Sequence, residues 1–535
     1  MDSGEPHYDS MMDTSDREEH PHSEDSAPSS PPEWVDWQWP AYPWELEARD
    51  AELAAPPEPP APPEPPAPPP VAPGQPGWGP PPAWGAPAGW GPPPGRTRPR
   101  RRGWTIALAL LGTVALVAGS LLGLGPTLRD WARAPAGTSS SAPSGSAQLS
   151  ITTAGQSPGA ALRPLLARRA GAVLRHDRAA FLATVDQRRR TFYRTQAALF
   201  DHMVTVPFSH LKYQVGRDLT TARVRRRYAP APVYLREVRA SYRFRGQDSA
   251  PVTAHYYYTF TLTSAGWRVA GQGDLPSRED DAEIWDSGPV RSVASARTLV
   301  VYHPGDRALA QRLLTAAERG YGQVNTSWAA QWDHKVVILV PHDQKEAERL
   351  LRGRDLSDVA AVASSQVEQG PAHRILGNRV IVNTSVIQRY NQLTVQVVVT
   401  HEMTHVATRN VGVGVPLFLV EGFADYVALR PVEAPLRITR PVLAAAVRDG
   451  SFEGRLPSDA ELLGVDAALA YDEASSFCLW VARTFGEAKV QSLYRSFAGV
   501  EEPAPRVLDQ RLRRVLGIAR ASAESRWAAF VREAL

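Results

Sequence analysis

The chain has almost no thiols and almost no lysine. Cys478 is the single cysteine among 535 residues, which excludes an intrachain disulfide framework and any zinc module built on cysteine ligands. It sits in Phe477-Cys478-Leu479-Trp480, the apolar setting of a buried, inert thiol. Only four of the 59 basic residues are lysines, Lys212, Lys335, Lys345 and Lys489. An Arg-, Ala- and Pro-heavy chain of this kind reflects coding bias and carries no function. A strong excess of either charge is missing as well. The formal net charge is +3, which argues against a dedicated nucleic-acid binder. No kinase, receiver or helix-turn-helix pattern appears.

Proline is abundant but unevenly placed: 28 of the 49 prolines precede residue 100. Residues 1–50 are acidic and polar, and 54–95 are almost wholly Pro, Ala, Gly and Trp. Such a run cannot bury a core and populates extended polyproline II. Residues 1–102 therefore read as a disordered Pro-rich tail, either a solvated spacer or a docking tail for a cytoplasmic partner that binds proline or tryptophan. Arg96, Arg98, Arg100, Arg101 and Arg102 follow. Trp104 to Leu124 then runs 21 residues without a charge, enough helix for a hydrocarbon core of roughly 30 Å. The expectation is one transmembrane helix within 103–128, with a lipid bilayer around 104–124. The arginine bias places the N-terminus in the cytoplasm and the C-terminal domains outside it, a single-pass cell-membrane protein. Residues 129–160, rich in Ser, Gly, Ala and Thr, read as a flexible linker.

Two helices are expected over 161–203, where Leu162, Leu165, Leu166, Val173 and Leu174 recur at helical spacing. After Pro207 the period changes to two. Val238, Ala240, Tyr242 and Phe244 alternate with polar residues, as do Tyr256, Tyr258, Phe260 and Leu262, the pattern of half-buried antiparallel strands. Helices followed by a curved antiparallel sheet resemble the NTF2-like superfamily, a cone-shaped α+β fold, over 161–285. No paired acid and base stands out there. The run Tyr256-Tyr257-Tyr258 reads as sheet packing rather than a ligand cage, and the module as a spacer or accessory domain.

From about residue 290 the pattern is mixed. Thr298–Tyr302 and Lys335–Val340 look like buried strands, with an amphipathic helix over Arg307–Trp328 between them. Tyr390–Arg409 reads as a helix, and it carries His401-Glu402-Met403-Thr404-His405. Histidines at i and i+4 project from one helical face, so both imidazoles can reach one metal ion. The glutamate between them points slightly aside, where it can hold and deprotonate a metal-bound water. With 13 His in the chain, chance placement gives roughly 0.02 such motifs. Catalytic zinc needs a third protein ligand and an open position. Glu421, 16 positions after His405, lies in Leu417-Phe418-Leu419-Val420-Glu421-Gly422-Phe423-Ala424-Asp425-Tyr426. The Gly-containing connection 410–415 lets this second helix fold back so that Glu421 can enter the metal sphere. Asp425, one turn on, is placed to accept a hydrogen bond from the far nitrogen of a ligand histidine.

H-E-x-x-H followed by a Leu/Phe-rich stretch and E-G-x-A-D-Y resembles the gluzincin metallopeptidases, particularly the bacterial peptidase MA-like group, over about 290–535. The resemblance implies Zn2+ held by His401, His405 and Glu421, Glu402 as general base and a peptide or protein substrate. It also matches strand Arg379–Asn383 with the edge strand on which such enzymes lay an extended substrate. Tyr471 matches the tyrosine that precedes a helix in these proteins and donates to the oxyanion; a packing tyrosine is an equal reading. The fold class expected is therefore α+β. It comprises a Pro-rich tail, one transmembrane helix, an NTF2-like α+β domain and a gluzincin-like metallopeptidase domain at 290–535 with a mixed sheet and an active-site helix. A membrane-anchored zinc metallopeptidase acting outside the cytoplasm is the leading reading. The alternatives are a catalytically inactive zinc-binding recognition or envelope-scaffold protein and, last, a ligand sensor with the cone as receptor.

Overall fold

A computed structural model describes residues 33–36, 158–330, 332–357, 359–367, 375–412, 414–464, 467–500 and 505–535. The first element is strand β1 (Glu33–Asp36), inside the stretch expected to be disordered. Helices α1 (Pro158–Leu174), α2 (Arg178–Leu182) and α3 (Arg190–Met203) come next. They precede a four-stranded antiparallel meander of β2 (Phe208–Asp218), β3 (Val233–Phe244), β4 (Val252–Thr263) and β5 (Gly266–Gln272), with α4 (Ala222–Tyr228) between β2 and β3. The period of two puts Val238, Ala240, Tyr242 and Phe244 inward on β3. Tyr256, Tyr257 and Tyr258 are all buried within β4.

After the short α5 (Ile284–Ser287) the chain enters the second sheet. Its strands are β6 (Arg291–Ala294), β7 (Thr298–Tyr302), β8 (Val336–Val340), β9 (Ala361–Val367) and β10 (Ile375–Val382). Helix α6 (Arg307–Ser327) links β7 to β8, and α7 (Gln344–Leu350) leads on to β9. The strand order is β1-β9-β10-β8-β7-β6. β7, β8 and β10 run parallel, while β6, β9 and β1 pair antiparallel with their neighbours. β7 and β8 are buried at every residue, which is why they read as continuous apolar runs.

The remainder is helical: α8 (Thr384–Ile387), α9 (Gln392–Thr408), α10 (Leu417–Leu429), α11 (Leu436–Thr439), α12 (Pro441–Asp449), α13 (Asp459–Leu462), α14 (Ala467–Phe485), α15 (Glu487–Arg495), α16 (Pro505–Leu516) and α17 (Arg520–Ala534). α9 packs against α6, α10 and β9, and α10 against α14. That last contact needs a glycine. A Cβ on Gly422 would overlap the Ala474 carbonyl oxygen and lie 2.6 Å from its carbon, so Gly422 lets the two helices approach along bare backbone. Cys478 sits in this packing, fully buried, and burial pushes its thiol far up; it is an inert core residue.

The expectation of a transmembrane helix, and with it the single-pass membrane localisation, is corrected. Among the described residues no helix is long and apolar enough to cross a membrane, and the fold is α+β with mixed sheets. The long helices carry charges along their length, Arg307, Arg312, Glu318 and Arg319 on α6 and Asp472, Glu473 and Arg483 on α14. The mostly apolar α10 has 13 residues, about 20 Å of helix, carries Glu421 and Asp425, and is spent on the core. The segment 104–124 lies outside the described residues.

Candidate metal centre

Helix α9 starts at Asn391, whose side chain accepts from the Leu393 and Thr394 N–H groups at 2.9 and 3.0 Å, an N-cap that fixes its first turn. From Val397 to Thr408 every residue is buried. Helix α10 returns antiparallel through a tight connection. Gly414 adopts φ +80°, and a Cβ there would run into the Val500 backbone. The Asp459 side chain accepts from the Leu417 N–H at 3.0 Å and so caps α10.

This geometry brings the three predicted ligands together. One nitrogen from each of His401 and His405 and one oxygen from Glu421 lie within 4.8 Å of one another. His401 Nε2 is 2.7 Å from His405 Nε2. Glu421 Oε2 is 3.3 Å from His401 Nε2 and 3.7 Å from His405 Nε2. Donors about 2.0–2.1 Å from a tetrahedral zinc ion lie about 3.3–3.4 Å apart. The carboxylate already has that spacing, and the imidazoles need to part by roughly 0.6 Å. Two imidazoles and one carboxylate suit zinc in both charge and softness.

Electrostatics agree with the ligand role. Burial holds His401 down at about 3, and burial, His401 and the Arg409 charge hold His405 far below the usual imidazole range. Both rings are therefore neutral at pH 7, the state that binds metal. Behind His401, Nδ1 lies 2.7 Å from Asp425 Oδ1. The carboxylate accepts the Nδ1–H and leaves the Nε2 lone pair facing His405 and Glu421. Burial pushes Asp425 up to about 7, opposed by the buried Arg440 guanidinium. Arg440 also faces Asp472, whose carboxylate accepts from the Val442 and Leu443 N–H groups at 2.9 and 3.1 Å. The Asp472 carboxylate thus ties the start of α12 to α14, with the Arg440 charge acting on both Asp472 and Asp425.

Glu402 is fully buried and stands outside the three-donor cluster. Its Oε2 accepts the Ala363 N–H of β9 at 2.7 Å. That contact corrects the edge-strand assignment. Arg379–Val382 belongs to β10, which is flanked on both sides by β9 and β8. The strand beside the glutamate is β9, and among the described residues β1 alone lies beyond it. Tyr471 also differs from expectation. It lies within α14 rather than before a helix, and it is 1% exposed. Tyr494 on α15 was not foreseen: burial raises its phenol, and the Glu421 carboxylate raises it further. No spacing rule in the sequence could have linked positions 421 and 494.

No family model matches the chain, and no curated protein does. Among solved structures, native yeast LTA4 hydrolase is similar at 9% identity and a TM-score of 0.29, over 55% of this chain and 44% of that one. The similarity spans less than half of the yeast protein's length.

Proposed function

We propose that this protein is a zinc-dependent metallopeptidase whose centre is His401, His405 and Glu421, with Glu402 as general base. One observation carries the reading. Three metal-type donor atoms converge in the buried interior, Asp425 meets one of their rings at 2.7 Å, and the Glu402 carboxylate is buried on the same helix as the two histidines. A zinc ion bound there supplies Lewis acidity, lowering the pKa of water toward about 7 and polarising a carbonyl. The chain's residues do the rest. His401 and His405 stay neutral and present their Nε2 lone pairs. Glu402 accepts a proton from the attacking water and returns it to the leaving amine. The Ala363 N–H holds the Glu402 carboxylate in one orientation, and Tyr471 is the candidate donor to the developing oxyanion. An extended peptide would lie along β9. β1 pairs there with Ser364–Val367, so a substrate strand and β1 exclude each other over those residues.

A second reading, a zinc-binding recognition or scaffold protein without catalysis, is favoured by the burial of the centre. His401, Glu402 and Glu421 have no exposed surface, and His405 is 5% exposed. Glu402→Gln separates the two. The variant keeps all three ligands, so it should retain about one zinc per chain while peptide hydrolysis falls by about 100-fold or more. Metal analysis and a peptide-library digest with wild type and variant measure both quantities. Full turnover in the variant removes Glu402 from the chemistry; zinc without turnover in the wild type favours the scaffold.

A further inference from the structure

The four-stranded module contributes no ligand to the metal centre, yet it is bonded to the strand that holds the general base. Asp248, between β3 and β4, makes a bidentate ion pair with Arg379 of β10, Oδ1 to Nη1 at 2.7 Å and Oδ2 to Nη2 at 3.0 Å. Both side chains are almost fully buried, and Asp248 Oδ2 also accepts from the Phe244 N–H at 2.8 Å. Paired geometry and full burial make such an ion pair strongly directional. On β9, Gln366 reaches Thr253 with both ends of its amide. Its Oε1 accepts the Thr253 N–H at 2.5 Å, and its Nε2 donates to the Thr253 carbonyl at 2.6 Å. Ser364 is paired with Arg379, and Gln366 with Gly377, so these residues share one face of the sheet. Gly377 makes the approach possible. A Cβ there would collide with Val252 Cγ1 and lie 3.2 Å from Asp248 Oδ1. A side chain at 377 would therefore force Val252 to shift where the module meets β10.

Gln366 lies three positions after Ala363, about 10 Å along the strand. Ala363 is the residue whose N–H is bonded to Glu402. We propose that Gln366 and Asp248 are positioning residues. Through them the antiparallel module grips β9 and β10 and sets how the Ala363 N–H meets the Glu402 carboxylate. The proposal rests on the metallopeptidase reading of Glu402. It gives the module a task that a spacer would not have, since a spacer needs neither a buried ion pair nor an amide matched to one backbone residue of its neighbour.

The test uses the full chain and two variants that loosen the grip by different means. Gln366→Leu removes both hydrogen bonds at similar volume, and Gly377→Val drives the module off by steric contact. Misfolding of one leaves the other informative. Zinc content, kcat and KM are measured separately, and hydrogen exchange is followed over residues 361–367. Displacements of an ångström in a reacting group cost about 100-fold in rate. In both variants zinc should stay at the wild-type level, kcat should fall about 10- to 100-fold with KM within about twofold, and exchange across β9 should accelerate at least about 10-fold. Unchanged exchange overturns the proposal, as does faster exchange with kcat unaltered. If the wild-type protein hydrolyses no peptide, the peptidase reading fails on its own. The exchange comparison then still decides the grip, because β9 must loosen in both variants.

Discussion

Asp425 offers the sharpest test of the proposed metal centre because it would act on a bound ion only through His401. Its Oδ1 is 2.7 Å from His401 Nδ1, with both side chains buried. Asp425→Ala leaves the Nδ1–H of a buried imidazole without its acceptor and frees the ring to turn or to change tautomer. Removing a carboxylate of this kind costs about 10- to 100-fold in metal affinity, equivalent to about 1.4–2.7 kcal/mol. Asp425→Asn keeps an acceptor oxygen but loses the charge that favours a cation beyond the ring, so it belongs at the lower end of that range. His401→Ala removes a ligand outright and must cost more than either. The assay is competition with a chromogenic zinc chelator at fixed pH, with far-ultraviolet circular dichroism to show that each variant is folded. A folded Asp425→Ala protein that binds zinc within about twofold of wild type would refute the reasoning, since the contact would then do nothing for the ring it holds.

The other outcomes concern packing, pH and the edge of the sheet. Gly422→Ala places a methyl against the Ala474 carbonyl. Overpacking of about 1–3 kcal/mol exceeds the roughly 1 kcal/mol gained in helix propensity, so the melting temperature should drop by several degrees in a thermal scan. Burial pushes Glu283 up to about 8 from its ordinary 4.5, with Asp286 adding to the rise and Tyr242 and Arg379 opposing it. The folded state therefore keeps a proton that the unfolded chain releases. The contribution of Glu283 to stability is full below about pH 4.5 and is lost by up to about 1.4 kcal/mol per pH unit until about pH 8; Glu283→Gln should make the slope shallower in urea titrations across the window. Removal of residues 1–36 takes away the strand that pairs with Ser364–Val367; KM for extended peptides should fall with zinc content unchanged, and an unaltered KM would place the substrate elsewhere.

What the sequence revealed of this site, and what it hid, follows from the range of the interactions involved. The two histidines are one helical turn apart, so the 3.6-residue period alone puts them on one face, and Glu421 and Asp425 repeat that spacing on the next helix. Such local geometry survives any tertiary arrangement. The identity of the strand beside Glu402 does not, because a strand becomes an edge through the order in which distant segments pair. Arg379–Val382 has the stronger β-branched signal, Val380-Ile381-Val382, because it is buried between two neighbours. β9 reads Ala361-Val362-Ala363-Ser364-Ser365-Gln366-Val367, small and polar residues that carry little strand propensity. The structure accounts for that weakness. Ser365 donates to Asn378 at 2.6 Å, Gln366 is committed to Thr253, and Ala363 offers the Glu402 carboxylate a backbone N–H. Two of the seven residues, Ser365 and Gln366, spend their side chains on polar contacts whose partners lie 13 and 113 positions away, while Ala363 meets Glu402 through its backbone N–H, 39 positions away. A strand so occupied cannot also display the apolar alternation by which strands are recognised, and its contact with Glu402 runs through a backbone N–H that no side-chain pattern records.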